Sequence, residues 1–229
     1  MSIVRKYKSR VVEVVHRLPD VYTVWLQSET GRFKYSPGQF LHLALDEYDP
    51  SRAWPESRCF SMQTSPDQDL IAITFTTKGQ FTKKMAEELS TGKSVWLKMP
   101  YGDLFTRQHS RDNCVFLAGG TGVTPFLSLF TDESFAEYKN PRLYLGVRSK
   151  DYHIFDREIR DAGKLNPTLR LNVVYQDSEG VINIDRVIEE SDRHAAFFVS
   201  GPPVMVSSFK SVLSSRGIAD ANIRADEWE

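Results

Sequence analysis

Hydrophobic and polar positions follow two different rhythms along the chain. Up to about residue 100 the apolar runs are short, β-branched and aromatic: Val11 to Val15, Tyr22 to Leu26, Phe40 to Leu45, Cys59 to Gln63, Leu70 to Thr76 and Val95 to Met99. Each has the length and composition of a strand. Leu18-Pro19-Asp20 and Tyr35-Ser36-Pro37-Gly38-Gln39 separate them as turns. Short strands at near-regular spacing predict a closed barrel or a sandwich. One helix interrupts the series, Thr82 to Leu89, with Met85, Ala86 and Leu89 on one side and Lys and Glu on the other.

From Cys114 the rhythm changes. Cys114 to Ala118 is continuously apolar, as a strand buried on both faces requires. Predicted helices at Pro125–Phe130, Asp156–Ala162, Ile184–Glu190 and Val204–Arg216 then alternate with strands at Arg142–Val147, Leu169–Tyr175 and Ala195–Ser200. Such alternation predicts a parallel sheet with crossover helices. The polar stretch Arg107–Asn113 marks the boundary, and a cleft between the two halves is the natural ligand site.

Composition narrows the classes. The 229 residues are 41% hydrophobic and 26% charged, an ordinary globular mixture with room for two domains. A net charge of −1 supplies no global field toward nucleic acid or an anionic membrane, and neither is expected as a partner. No apolar run approaches the roughly 20 residues of a membrane span. The charged start, Met1 to Lys8, lacks a signal-peptide core, so a cytoplasmic location is expected. The two cysteines are too few for an iron–sulfur cluster held by four thiolates. The five histidines show no paired ligand spacing, and no metal site is expected.

Two loops in the second half carry candidate chemistry. Gly119-Gly120-Thr121-Gly122-Val123-Thr124-Pro125 joins a buried strand to a helix, and Ser200-Gly201-Pro202-Pro203-Val204-Met205 does the same later. Glycines let backbone N–H groups approach a pyrophosphate, and a helix start adds a favourable dipole. Each loop alone also reads as a tight turn; two at strand C-termini in one parallel sheet point to one crevice. In the first half, Arg58-Cys59-Phe60-Ser61 alternates across a strand, so Arg58 and Phe60 share a side opposite Cys59 and Ser61. Arg58 beside an aromatic suits a flat ligand with a phosphate tail, although four residues alone also fit an amphipathic strand with a surface arginine. Lys78-Gly79-Gln80-Phe81-Thr82 leads into the only helix of this half and makes a further anion site. Two separate dinucleotide-like sites imply two dinucleotides.

Taken in order, these segments resemble the ferredoxin–NADP reductase superfamily. Arg58-Cys59-Phe60-Ser61 is similar to its Arg-x-Tyr-Ser flavin motif. Pro37-Gly38-Gln39 matches its strand entry, Gly79 and Thr82 its flavin-diphosphate turn, and Met99-Pro100-Tyr101-Gly102 its barrel-closing segment. Gly119 to Pro125 matches its nicotinamide loop, and Ser200-Gly201-Pro202-Pro203 its Cys-Gly-Pro-Pro motif. Asp226-Glu227-Trp228 resembles its Glu-x-aromatic ending.

The resemblance implies a six-stranded antiparallel FAD-binding barrel over residues 1–110 and a five-stranded parallel NAD(P)-binding α/β domain over 111–229. It implies a flavoprotein oxidoreductase that takes hydride from NADH or NADPH onto FAD. Electrons would pass on to a redox protein such as ferredoxin or flavodoxin, or to a small molecule. The alternative is an FAD-binding subunit that turns over only inside a larger complex. By this resemblance Arg58 pairs with the flavin diphosphate, Phe60 stacks on the flavin ring and Ser61 lies near its hydride-accepting atom. Gln80, Phe81, Thr121, Pro125, Pro202 and Met205 line the cofactor sites beside the glycines, with Cys59 in the flavin motif. Ser61, Ser200 and Glu227 are the catalytic candidates.

Three departures stand out. Phe60 replaces Tyr, removing a hydrogen bond worth about 0.5–1.5 kcal/mol. Ser200 replaces Cys. The final acidic–aromatic segment is out of phase by one residue, and Trp228 either covers the flavin or docks the tail. Arg148 and Ser149 suit an adenosine 2′-phosphate, whereas Asp177 and Glu179 tilt the choice toward NADH.

Overall fold

The computed structural model describes residues 3–226. Six strands build the first sheet: β1 Arg5–Leu18, β2 Val21–Ser28, β3 Phe40–Ala44, β4 Ser57–Ser61, β5 Leu70–Thr76 and β6 Ser94–Tyr101. They lie in the order β4-β3-β6-β1-β2-β5, and every pairing is antiparallel. The sheet curls until the segment after β4 meets β5: the Gln63 N–H donates to Ala72 O (3.0 Å) and Thr74 Oγ1 donates to Gln63 Oε1 (2.7 Å). The result is a nearly closed six-stranded barrel, which leaves little open edge. Val24, Leu26, Leu41, Leu43, Ile71, Ile73 and Leu97 fill it, and Phe81 and Met85 of helix α1 (Gln80–Glu88) plug one side.

β1 is longer than its apolar run. Its first half alternates Lys6, Lys8 and Arg10 outward with Tyr7, Ser9 and Val11 inward, a half-buried pattern that charged side chains conceal from a search for apolar runs. A bulge between Val11 and Glu13 against β2 bends it around the barrel.

The second unit begins with β7 (Val115–Gly119), a short 3₁₀ turn (Gly120–Val123) and α2 (Thr124–Phe130). It continues through β8 (Arg142–Val147), α3 (Asp156–Leu165), β9 (Arg170–Tyr175), α4 (Gln176–Glu179), α5 (Ile184–Glu189), β10 (Phe197–Ser200), α6 (Pro203–Ser215) and β11 (Ile223–Ala225). The five strands run parallel in the order β11-β10-β7-β8-β9. Alternate residues of β7 serve opposite faces: Phe116 packs with Phe126, Phe130 and Phe198, while Val115 and Leu117 pack with Phe197, Val206 and Leu213. That double burial accounts for the unbroken apolar run.

Two expectations from the residues need adjustment. The glycine loop continues as a 3₁₀ turn before α2 begins. β11 carries Ile223-Arg224-Ala225, too short and too polar to be found by pattern, and forms because its backbone pairs with β10. Among the described residues no helix is long and apolar enough to cross a membrane, and no group of three or more His, Cys, Asp or Glu is placed to hold a metal ion.

Candidate functional site

The start of α1 is a candidate anion cradle, braced by Thr82. Thr82 Oγ1 accepts from the N–H groups of Lys78 (3.0 Å) and Gly79 (3.1 Å) and donates to Gly79 O (3.1 Å). The first turn-closing bond runs from Lys83 N–H to Gly79 O (3.0 Å). The N–H groups of Gln80, Phe81 and Thr82 therefore precede any helical acceptor and point outward along the helix dipole. A Cβ placed on Gly79 would meet nothing within 4 Å, and its φ of −125° suits any residue. Nothing among the described residues requires glycine there.

Arg58 comes to the same place from β4. Its guanidinium lies 5.0 Å from the centre of the Phe81 ring, on the first turn of α1. It is ion-paired to Glu56 at 2.9 Å with both side chains more than half exposed, a contact worth about 0–1 kcal/mol and readily exchanged for a phosphate. Phe60 shares the Arg58 side of the strand, but its ring turns inward against Phe75 (6.2 Å) and is only 6% exposed. In this conformation Phe60 is a wall beneath the cradle rather than an open stacking surface. Cys59 faces the other way, its Sγ 3.5 Å from His42 Nε2. Burial raises the Cys59 pKa, which keeps the thiol protonated and unreactive.

In the second unit the loops after β7 and β10 meet where the strand order reverses, between β7 and β10. That crevice is where open α/β sheets bind ligands. The glycines there serve more than one purpose. A Cβ on Gly122 would fall 2.5 Å from Gly201 Cα, and one on Gly119 would fall 2.8 Å from Met205 Sδ and from Pro202 Cδ. Gly119, Gly122 and Gly201 thus let loop pack on loop, together with Pro202 and Met205, rather than only admitting a cofactor. Gly120 differs: its φ is +55° and its Cβ direction is open, so it is the glycine that faces free space beside the half-buried Thr121. Pro125 is buried in the first turn of α2.

Arg148 is exposed at the end of β8, its guanidinium 5.3 Å from the Tyr152 ring centre. Ser149 caps the 3₁₀ turn that contains Tyr152. Of the two acids that tilted the choice toward NADH, Glu179 accepts from the Tyr175 N–H (2.9 Å) and closes its own turn. Asp177 is tied to Arg148 through its backbone N–H, which donates to Arg148 O (3.0 Å).

The two units meet at a seam held by Gly38 N–H to Ser128 Oγ (2.7 Å), Ser65 Oγ to Asp132 Oδ2 (3.1 Å) and the Arg17–Glu158 pair (3.2 Å). At its centre Asp226 Oδ2 accepts from Ser61 Oγ of the barrel (3.2 Å) and from Ser200 Oγ of the parallel sheet (3.3 Å). Both serines are 3% exposed. Backbone pairing places Asp226, since its N–H continues the ladder to Val199 O (2.9 Å).

Sequence reasoning named Ser61, Ser200 and Glu227 as catalytic candidates. The carboxylate the structure brings to the two serines is Asp226; Glu227 and Trp228 lie outside the described residues. Asp226 was not among those candidates, and the one-residue phase offset of the closing motif was the signal that pointed to it. The structure thus gathers two glycine-led helix starts, one per unit, and between them a carboxylate that accepts from two hydroxyls.

Residues 116–211 match the oxidoreductase NAD-binding domain family. The chain is 30% identical over 210 residues to the naphthalene 1,2-dioxygenase system ferredoxin–NAD(P)(+) reductase component of Pseudomonas putida, covering 86% of this chain and 61% of that protein. It is 24% identical over 243 residues to the phenol hydroxylase P5 protein of Acinetobacter pittii, covering 99% and 66%. The chain thus spans about three fifths to two thirds of the length of these relatives. The crystal structure of an Amycolatopsis cytochrome P450 reductase shares the fold at a TM-score of 0.82 and 20% identity, over 98% of this chain and 70% of that one. A Neisseria gonorrhoeae ferredoxin NADP+ reductase with bound FAD and NADP shares it at 0.77 and 19%, over 99% of both chains.

Proposed function

The chain belongs to the ferredoxin–NADP reductase-like superfamily of FAD- and NAD(P)H-dependent oxidoreductases, and from that premise we propose that it moves reducing equivalents from NADH or NADPH through FAD to a separate acceptor. The acceptor is a redox protein or a small molecule. We assign residues 1–110 to FAD and 111–229 to the nicotinamide cofactor. The carrying observation is the Asp226 bridge between Ser61 and Ser200. It sets the barrel strand that carries Arg58 against the glycine loops of the parallel sheet.

FAD, when bound, supplies the hydride-accepting chemistry and the change from two-electron to one-electron transfer. The chain's residues supply placement. Arg58 and the N–H groups of Gln80, Phe81 and Thr82 hold the flavin diphosphate by charge-assisted hydrogen bonds. Gly120, Thr121 and the loop at Gly201 receive the nicotinamide dinucleotide, with Arg148 and Ser149 at its adenosine end. Ser61, whose hydroxyl proton is given to Asp226, would turn its oxygen lone pairs toward the flavin ring, and Asp226 fixes the direction of that hydroxyl. Ser200, at the cysteine position of the Cys-Gly-Pro-Pro motif that this segment resembles, donates to the same carboxylate.

The test is anaerobic mixing of the FAD-loaded protein with NADH and, separately, NADPH. The visible flavin band should bleach with at least one of them, and the faster one identifies the donor. An intact band with both cofactors overturns the proposal.

A further inference from the structure

We propose that Arg17 and Glu158 are positioning residues for the hydride step: through a buried chain of hydrogen bonds they clamp the barrel segment that carries Ser61 against the parallel unit. This rests on the redox reading above, in which one hydride leaves reduced nicotinamide and reduces FAD by two electrons. The chain begins at the seam. Arg17 Nη2 pairs with Glu158 Oε1 of α3 (3.2 Å), and Arg17 Nε donates to Thr23 Oγ1 (3.2 Å). Thr23 Oγ1 lies 2.8 Å from Thr74 Oγ1, and Thr74 Oγ1 donates to Gln63 Oε1 (2.7 Å).

The direction of every proton follows. The Gln63 amide oxygen can only accept, so the single hydroxyl proton of Thr74 goes to it. Thr74 then accepts from Thr23, and Thr23 accepts from Arg17. All donors face the same way, from the cation to the amide, an order in which each bond strengthens the next. The chain is shut off from water: Thr23 is 0%, Gln63 5% and Thr74 8% exposed. Thr23 pairs with Thr74 across β2 and β5, while the neighbouring Val24 and Ile73 fill the barrel. The two threonines therefore stand on the outer face of the sheet, yet are buried there. Two valines would suit these strands and need no partner, so the fold alone does not account for the hydroxyls.

The far end of the chain holds the segment of Ser61. Phe60 and Met62 point into the barrel core, so Ser61 and Gln63 share the outward side, about 7 Å apart. Ser61 is tied by Asp226 (3.2 Å) and Gln63 by Thr74. The backbone between them is fixed to the barrel by Met62 N–H to Gln39 O (3.1 Å) and Gln63 N–H to Ala72 O (3.0 Å).

The near end is set apart from its surroundings. The other charged side chains of α3 pair along the helix: Arg157 and Lys164 with Asp161, and Arg160 with Asp156. Glu158 reaches across the seam instead, and among the described residues its bond to Arg17 is the ion pair that joins barrel and parallel unit. That pair is one bond short: Glu158 Oε2 is sealed from solvent and accepts from no described group. A slight closing of the seam lets the planar Arg17 fork hold both oxygens. An ion pair completed only in the closed arrangement acts on the reacting geometry rather than on ground-state binding. Misplacing reacting atoms by ~1 Å slows a reaction roughly 100-fold.

The test uses the FAD-loaded parent, Glu158→Gln, the chain-cutting triple variant Thr23→Val/Thr74→Val/Gln63→Met, and the combination of all four changes. Flavin bleaching by saturating reduced nicotinamide is followed in a single turnover without oxygen. Glu158→Gln and the triple variant should each slow it at least tenfold, while FAD per chain and the half-saturating donor concentration stay within twofold. Because both act through one chain, the combination should be no more than twofold slower than the slower of the two. Thr23→Ser, which keeps the hydroxyl, should remain within twofold of the parent. In the flavin-free chains, hydrogen exchange at the Met62 and Gln63 N–H groups should quicken at least tenfold in both variants, with the β1–β2 ladder unchanged. If the triple variant does not fold, Gln63→Met takes its place in the comparison.

A parent-like rate in Glu158→Gln overturns the proposal. So do losses that multiply in the combination, since they mean two independent effects. A rate that falls only in step with FAD content makes the pair merely structural and overturns it too, as does unchanged exchange at Met62 and Gln63. A parent whose flavin bleaches with neither NADH nor NADPH overturns the redox reading itself, which keeps the two failures distinct.

Discussion

Asp226 has the most demanding position in the molecule. It follows a three-residue strand, accepts from two nearly buried hydroxyls and joins them across the seam. Asp226→Asn keeps the shape and one oxygen acceptor but removes the charge. Hydrogen bonds to a charged group contribute about 1.5–3 kcal/mol, so flavin reduction in a single turnover should slow by roughly 10- to 100-fold. The melting temperature should change little, because both serines keep an acceptor. A reduction rate within twofold of the parent would show that the bridge only docks the strand. Composition revealed none of this, because the residue is placed by backbone pairing three residues earlier. The serines themselves were legible, since each stands in a recognisable segment whose chemistry repeats at strand ends. Phe60 shows the opposite limit: alternation gave its side of β4 correctly but not the turn of its ring into the core.

At the scale of elements, two glycines separate structure from ligand. Gly122 is confined by the backbone of the opposing loop, and a methyl group there collides with Gly201 and with Ser200 O at 2.6 Å. Gly79 has an ordinary φ and open space. Gly122→Ala should therefore destabilise the flavin-free chain by about 1–3 kcal/mol, the usual cost of overpacking. Gly79→Ala should leave its stability unchanged or raise it by up to about 1 kcal/mol, yet weaken FAD binding at least tenfold. Urea unfolding and flavin titration read the two effects separately. Equal FAD affinity in Gly79→Ala would remove the cradle at α1 from the argument. Both glycines look alike as letters, because neither the loop facing Gly122 nor the emptiness before Gly79 is local in sequence. The elements themselves were largely readable: β8 has the bounds its apolar run predicts, and α5 ends one residue short of them. Among the misses, half of β1 and all of β11 are strands whose order comes from neighbours rather than from an apolar stripe.

The whole molecule responds to pH from both sides, because several of its titrating groups are buried in their neutral forms. His42, His109 and His153 are all held below the ordinary histidine value, in each case first by burial. In the unfolded chain they take up protons near pH ~6.5 while the folded chain still resists. The unfolded state then binds more protons, and stability falls as pH drops below about 6.5. On the alkaline side burial pushes the Cys114 thiol up to about 12, with Asp112 adding to it, and raises Tyr35 and Tyr138 as well. Unfolded thiols ionise near ~8.5 and tyrosines near ~10. Above about 8.5 the folded state is the one that retains protons, so stability falls as pH rises. The stability maximum should lie between about pH 7 and 8.5. From about 8.5 to 10 the loss should follow Cys114, with a slope approaching ~1.4 kcal/mol per pH unit for one proton. Cys114→Ala will lower stability throughout by leaving a small cavity, but its slope over that window should be clearly shallower, the remainder coming from the Cys59 thiol that burial also raises. Urea midpoints measured at half-unit steps in parent and variant give both slopes directly. Parallel slopes would mean that a group other than the Cys114 thiol, which is fully buried beneath the link between the two units, sets the alkaline limit.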